Sequence, residues 1–168
     1  STVEYNGDPL AQWVKNFAQV HLAEFGTRIL YTSLNPGAFD THANQSTAFP
    51  ELWSEVSNAV SDFYQDLKEH QANEEVVILM FTEFGRRVQE NGSGTDHGSG
   101  SVAFVIGDAV RGGLYGEYPS LEPNRLDEGD LRWNNDFRIT YATLLERWMG
   151  LDPQPILGGT FEQFDFIK

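Results

Sequence analysis

The sequence predicts an α/β domain, a layered α/β/α arrangement around a mostly parallel sheet. Three observations carry this expectation. Helical and strand periodicities alternate along the chain. Val76-Val77-Ile78-Leu79-Met80-Phe81 is an unbroken apolar run, as in a central parallel strand buried on both faces. Asp40, His42 and Glu83 stand where strands should give way to turns, the place where such folds put their chemistry. With 168 residues the chain is long enough for one domain with a real core, but not comfortably for two, so residues 1–168 are read as a single domain.

Asp8 and Pro9 form an N-cap and first-turn pair, and Leu10, Trp13, Val14, Phe17, Val20 and His21 follow at helical spacing until Gly26. This predicts an amphipathic helix. Arg28 to Leu34 reads as a strand through Ile29, Tyr31 and Thr32, stopped by Asn35-Pro36-Gly37. Ser46 or Thr47 caps a second helix, whose Leu52, Val56, Ala59, Val60, Phe63 and Leu67 form one apolar stripe. Lys68 to Glu75 is the outgoing loop, and Val76–Phe81 is the clearest strand.

Gly92, Gly94, Gly98 and Gly100 predict a loop over Asn91 to Ser101 whose backbone approaches something closely. Val102 to Ile106 is a further short strand, and Gly107 to Asp130 is irregular, rich in glycine and proline. Asp136 begins a last helix with Phe137, Tyr141, Leu144, Leu145 and Trp148 on one face, closed by Gly150 and Pro153. The tail sets Phe161, Phe164 and Phe166 among polar residues, as an edge strand does.

Charge narrows the function classes. A net charge of −14 and a pI near 4.5 argue against nucleic acid and anionic membranes as partners, since both reward clustered Lys and Arg. The acidity is either a solvated surface or carboxylates gathered around cations. With no cysteine, any metal site must use oxygen and nitrogen ligands. No apolar run has the length of a bilayer span, and Ser1 opens no charged and apolar leader, so a soluble chain is expected.

Three segments carry the chemistry: Phe39-Asp40-Thr41-His42, Phe81-Thr82-Glu83-Phe84-Gly85-Arg86-Arg87, and Gly94-Thr95-Asp96-His97-Gly98. Their Asp, His and Glu are ligands that divalent zinc, manganese or iron accept, and together they read as a dispersed metal site. Asp40 and His42, two apart, share a face of a strand and in a turn still converge on one ion. The plainer reading is an Asx-turn beside a surface histidine. Glu83, directly after six apolar residues, must be solvated, paired or metal-bound, and Arg86 or Arg87 is a ready ion-pair partner. His97 is a ligand in a Gly-rich loop with Asp96 as its partner or a ligand itself, or both are simply solvated. His21 and His70 read as ordinary residues on or beside helices.

In this order, F-D-T-H-A-N-Q, a buried strand into T-E-F-G-R-R, N-G-S-G-T-D-H-G and later R-G-G-L-Y-G, the sequence resembles the DUF1501 proteins, an uncharacterised family placed in the alkaline phosphatase and sulfatase superfamily. The resemblance runs from about Tyr5 to Gly150. It implies an alkaline phosphatase-like fold with two divalent ions, Zn or Mn, at the carboxyl ends of parallel strands, activating a hydroxyl for attack on a phosphate or sulfate ester. By that analogy Asp40, His42 and His97 are ligands of one ion, and Glu83 stands where phosphatases carry an Asp for the second. Asp96 binds an ion or orients His97, and Arg86 contacts an anionic ester oxygen. A different superposition places Asp96-His97 on the superfamily's Asp-His-Gly motif.

The superfamily takes its nucleophilic Ser or Thr, and a first metal-binding Asp, from a part preceding the Asp40-Thr41-His42 segment. Only 39 residues precede Asp40, so the chain reads as the carboxyl-terminal half of a longer protein. Nothing marks Thr2, Thr27, Thr32 or Ser33 as a nucleophile, and none is nominated. The expected partners are a small anionic ester and the missing amino-terminal half or a second chain. The family resemblance also implies a periplasmic or secreted location. Two other functions stay open: a non-catalytic metal-binding or interaction module, and a glycosidase with Glu83 and Asp96 as its carboxylate pair.

Overall fold

In the computed structural model, which describes residues 1–34 and 37–168, the Asp8 carboxylate accepts the Ala11 N–H at 2.9 Å. Pro9 fills the first helical position, where its missing N–H is harmless, and α1 runs Pro9–Leu22. It ends before Gly26, with the Ala23 N–H bonded to the Gln19 carbonyl at 3.0 Å. The second helix, α2, runs Gln45–Glu69, beginning one residue before the expected caps and continuing past Leu67. Its N-cap, Asn44, is left-handed at φ 54° and makes no side-chain cap bond. Ser93 substitutes for the cap: its carbonyl accepts the Gln45 N–H at 2.9 Å and its hydroxyl accepts the Asn44 N–H at 3.2 Å.

The chain packs as two compact units, Ser1–Val76 with Glu90–Asp96, and Val77–Gln89 with His97–Lys168. In the first unit α1 lies against α2. Ala11, Val14 and Ala18 meet Val56, Ala59, Phe63 and Leu67 in a buried seam, and burial of each large side chain stabilises by about 1.5–3 kcal/mol. Two amino-terminal residues are tied to the end of α2. The backbone N–H and hydroxyl of Thr2 both donate to Glu69 at 2.7 Å, holding that carboxyl down to about 2. The Tyr5 hydroxyl donates to buried Asp66 at 2.8 Å, and burial first, then this bond, push the phenol above its usual range.

The second unit carries β1 (Ile78–Met80), most of β2 (Gly85–Glu90), the end of β3 (Thr95–Gly98), and β4 (Phe104–Ile106). Helices α3 (Phe137–Thr143) and α4 (Gln154–Leu157) follow, with a π-helical turn at Leu144–Trp148 extending α3. Asp136 caps α3 by accepting the Arg138 N–H at 2.9 Å, and the Arg138 guanidinium beside it brings its carboxyl down to about 2. The Thr143 hydroxyl bonds the Ile139 carbonyl and accepts the Phe164 N–H. The tail forms an antiparallel bridge between Val110 and Ile167, with Phe166 and Ile167 buried.

The layered α/β/α expectation with a mostly parallel, alkaline phosphatase-like sheet is overturned. Among the described residues there are two small sheets of two strands each, β1 with β4 and β2 with β3. The register of the first is antiparallel, Ile78 opposite Ile106 and Met80 opposite Phe104. The second is a hairpin, because the residues between β2 and β3 are too few for the crossover that parallel neighbours require. Of the Val76–Phe81 run only Ile78–Met80 is strand, half-buried, and Phe81 is 51% exposed. Arg28 to Leu34 forms no strand: Ile29 and Tyr31 are 69% and 72% exposed. β-Propensity expresses fit against a neighbouring strand, and alone it does not make one. The expected stop at Asn35-Pro36 lies outside the described residues. Among the described residues no helix is long and apolar enough to cross a membrane.

Candidate metal centre

In the first unit, Phe39 anchors the segment that carries Asp40 and His42. Its ring meets those of Phe49 and Trp53 edge-on, at centroid distances of 5.4 and 5.2 Å, which ties the segment to the first turns of α2. From the other side comes the β2–β3 turn. Gly94 packs directly on the His42 backbone, and a β-carbon at position 94 would stand 2.7 Å from the His42 carbonyl oxygen. The Thr95 hydroxyl donates to the Gln45 side chain at 3.0 Å, and Ser93 caps α2. The close approach read into the Gly-rich segment is therefore real, but Thr95–Gly98 is strand and not loop.

This clasp sets His42 between two carboxylates. Its Nε2 lies 3.0 Å from Asp40 Oδ1, and its Nδ1 lies 3.4 Å from Asp96 Oδ1. The Asn91 amide donates to the same Asp96 oxygen at 2.8 Å. All three principal side chains are about half exposed. Asn91 also closes the turn, its side-chain oxygen accepting the Gly94 N–H and its backbone N–H donating to the Gly94 carbonyl. Sequence reasoning missed Asn91, although Asn91-Gly92 is a strong hairpin signal. That signal marks a turn and says nothing of where the amide points.

The donor set fits a divalent ion. Two ligands of one tetrahedral ion, with bonds of about 2.0–2.1 Å, stand about 3.3 Å apart, and Asp40 Oδ1 and His42 Nε2 are already near that separation. Carboxylate and imidazole suit zinc or manganese. A carboxylate on the other ring nitrogen is the arrangement that fixes the tautomer of a metal-binding histidine. A protonated imidazole also satisfies the same contacts, as an ion-paired histidine between two acids.

The second unit holds Glu83, Arg86 and His97. His97 stacks on Phe84 with centroids 3.8 Å apart and planes 11° apart, and the Arg86 guanidinium carbon lies 5.0 Å from the centroid of the same ring. Glu83 is exposed at the bend before β2, so solvation alone meets the need its position created. Arg87, one of its two expected partners, pairs with Asp130 at 3.2 Å and donates to the Glu128 carbonyl. The structure thus joins Asp40, His42 and Asp96 in one unit, and His97 and Arg86 around Phe84 in the other. His21 and His70 each have an acidic neighbour of their own, Glu75 at 3.1 Å and Asp66 at 3.2 Å.

The family model of DUF1501, described as a protein of unknown function, matches residues 11–160. The chain belongs to that family. No curated protein and no solved structure matches it.

Proposed function

We propose that this chain supplies ligands for a divalent cation, zinc or manganese, in a hydrolase of phosphate or sulfate esters of the alkaline phosphatase and sulfatase type. The observation that supports the reading is His42 held by carboxylates at both ring nitrogens, Asp40 at Nε2 and Asp96 at Nδ1. Asp40 and His42 are the proposed ligands of one ion. Asp96, held by Asn91, would accept the Nδ1 proton and so leave the Nε2 lone pair for the ion that Asp40 shares. Glu83 and His97 are the other proposed donors, and Arg86 the contact for an anionic ester oxygen.

A divalent ion in such a site lowers the pKa of a water or hydroxyl and neutralises charge on the ester oxygens. The protein's part is to bind and orient. The proposed partners are a small anionic ester, and a preceding segment or second chain that brings the hydroxyl nucleophile and the remaining ligands. The chain is then the carboxyl-terminal part of a longer periplasmic or secreted enzyme.

A second reading, a metal-binding or interaction module without turnover, is favoured by the half exposure of Asp40, His42 and Asp96. Hydrolysis of 4-nitrophenyl phosphate and 4-nitrophenyl sulfate, measured after chelation and after readdition of zinc or manganese, separates the two. Turnover restored by metal and lost in His42→Ala supports the hydrolase. Bound metal with neither ester cleaved favours the module.

A further inference from the structure

Phe84 lies between two residues to which the proposed function assigns chemistry, and nothing in that proposal uses Phe84 itself. The His97 imidazole covers one face of its ring at 3.8 Å, nearly parallel. The Arg86 guanidinium carbon lies over the same ring, 5.0 Å from its centroid. The backbone makes this arrangement a consequence of register. Phe84 directly precedes β2, and Arg86 is the second residue of that strand. His97 is brought beside them by β3, where Gly98 packs so tightly that a β-carbon there would stand 2.8 Å from the Arg86 backbone.

We infer that Phe84 is a positioning residue, which fixes the plane of the His97 imidazole and the station of the Arg86 guanidinium as one unit. The inference rests on the proposed roles of His97 as a metal ligand and Arg86 as an ester-oxygen contact. An imidazole donates to a metal through a lone pair in the plane of its ring. A partner stacked on the ring face therefore restricts rotation without occupying the donor direction. Metal binding withdraws electron density from the imidazole, which favours its contact with the electron-rich Phe84 face. The same electron-rich ring attracts the Arg86 cation. Leucine at position 84 keeps apolar volume and removes both effects, whereas tyrosine keeps the ring.

The test combines proton NMR of the His97 ring with zinc titration, on the wild-type chain and on Phe84→Leu, Phe84→Tyr and His97→Ala. A ring stacked on Phe84 has its carbon-bound proton resonances displaced upfield by the aromatic ring current. The expected result is that displacement in the wild type and in Phe84→Tyr, and its loss in Phe84→Leu. Zinc affinity should fall about tenfold in Phe84→Leu, the scale of losing a group that orients a ligand, and stay within about twofold in Phe84→Tyr. Phe84→Met replaces Phe84→Leu if the latter does not fold.

Undisplaced His97 resonances in the wild type would overturn the inference without any variant. So would zinc bound equally well by Phe84→Leu or Phe84→Met and the wild type, provided His97→Ala weakens it. Zinc affinity unchanged in His97→Ala contradicts a different claim, the ligand role of His97 on which the inference stands.

Discussion

His42 and His97 are held in opposite ways. His42 is gripped at its edge, with a carboxylate at each ring nitrogen, while His97 lies with its face on a phenyl ring. The first arrangement selects a tautomer and depends on charge. The second selects a ring plane and depends on shape. Removing the Phe84 ring should spare the first and damage the second, and neutralising Asp96 in place should do the reverse.

The largest expected effect is on the edge-held histidine. His42→Ala removes the central donor, and zinc affinity measured by competition with a chromogenic chelator should fall more than about a hundredfold, the upper part of the range seen even for groups that only support a ligand. His21→Ala, which removes the contact with Glu75, should leave that affinity unchanged. Gly94→Ala should cost about 1–3 kcal/mol of stability in urea denaturation, because its β-carbon meets the His42 and Ala43 backbone and forces the hairpin turn off the Asp40 segment. Asp96→Asn keeps the shape at Nδ1 and loses the charge, and zinc affinity should fall about tenfold while the fold persists. The same variant should leave the His97 ring-current displacement in place.

Effects of pH reach both units. Glu69 and Asp136, each held to about 2 by hydrogen bonds, are depressed below their ordinary values of 4.5 and 3.8. A depressed carboxylate contributes stability that is fully present above its unfolded value and is lost as pH falls through its folded one. Acid titration of thermal stability should therefore show a decline between about pH 4.5 and 2, reduced at its upper end by Glu69→Gln. Tyr5 carries the opposite sign. Its raised phenol favours the folded state below the ordinary tyrosine value, and that contribution fades as pH rises past about 10. Tyr5→Phe should reduce the alkaline decline, and it leaves a buried Asp66 oxygen without its donor at a cost of about 1–3 kcal/mol.

Local signals were the legible ones. Asp8 with Pro9, the apolar stripe of α2 and Asp136 at the last helix are decided by neighbours within a few residues, and the sequence periodicity found them all. The sheet was not legible. The apolar run at Val76–Phe81 and the β-favouring residues at 28–34 say that a strand is affordable there, but not which strand lies beside it. Antiparallel pairing of Ile78–Met80 with Phe104–Ile106 is a long-range choice with no local mark.

The candidate centre divides along the same line. Its histidines stood out, because the chain has only four and two of them lie within two residues of an Asp. Their contacts did not, since Asp96 meets His42 across a separation of 54 residues and depends on Asn91 and Ser93, whose side chains carry no periodic signal. Phe84 was visible as a member of its segment, but no local signal marks the His97 ring on its face.

The claim that His42 is a metal ligand, and not simply an ion-paired surface histidine, is tested most directly by elemental analysis. The purified wild-type chain and His42→Ala are exposed to zinc and manganese, and excess metal is removed before measurement. Near-stoichiometric metal in the wild type, lost in the variant, is the predicted result. Equal metal in both proteins, or none in either, would contradict the ligand role and leave Asp40, His42 and Asp96 as an ion-paired clasp between the hairpin turn and the segment ahead of α2.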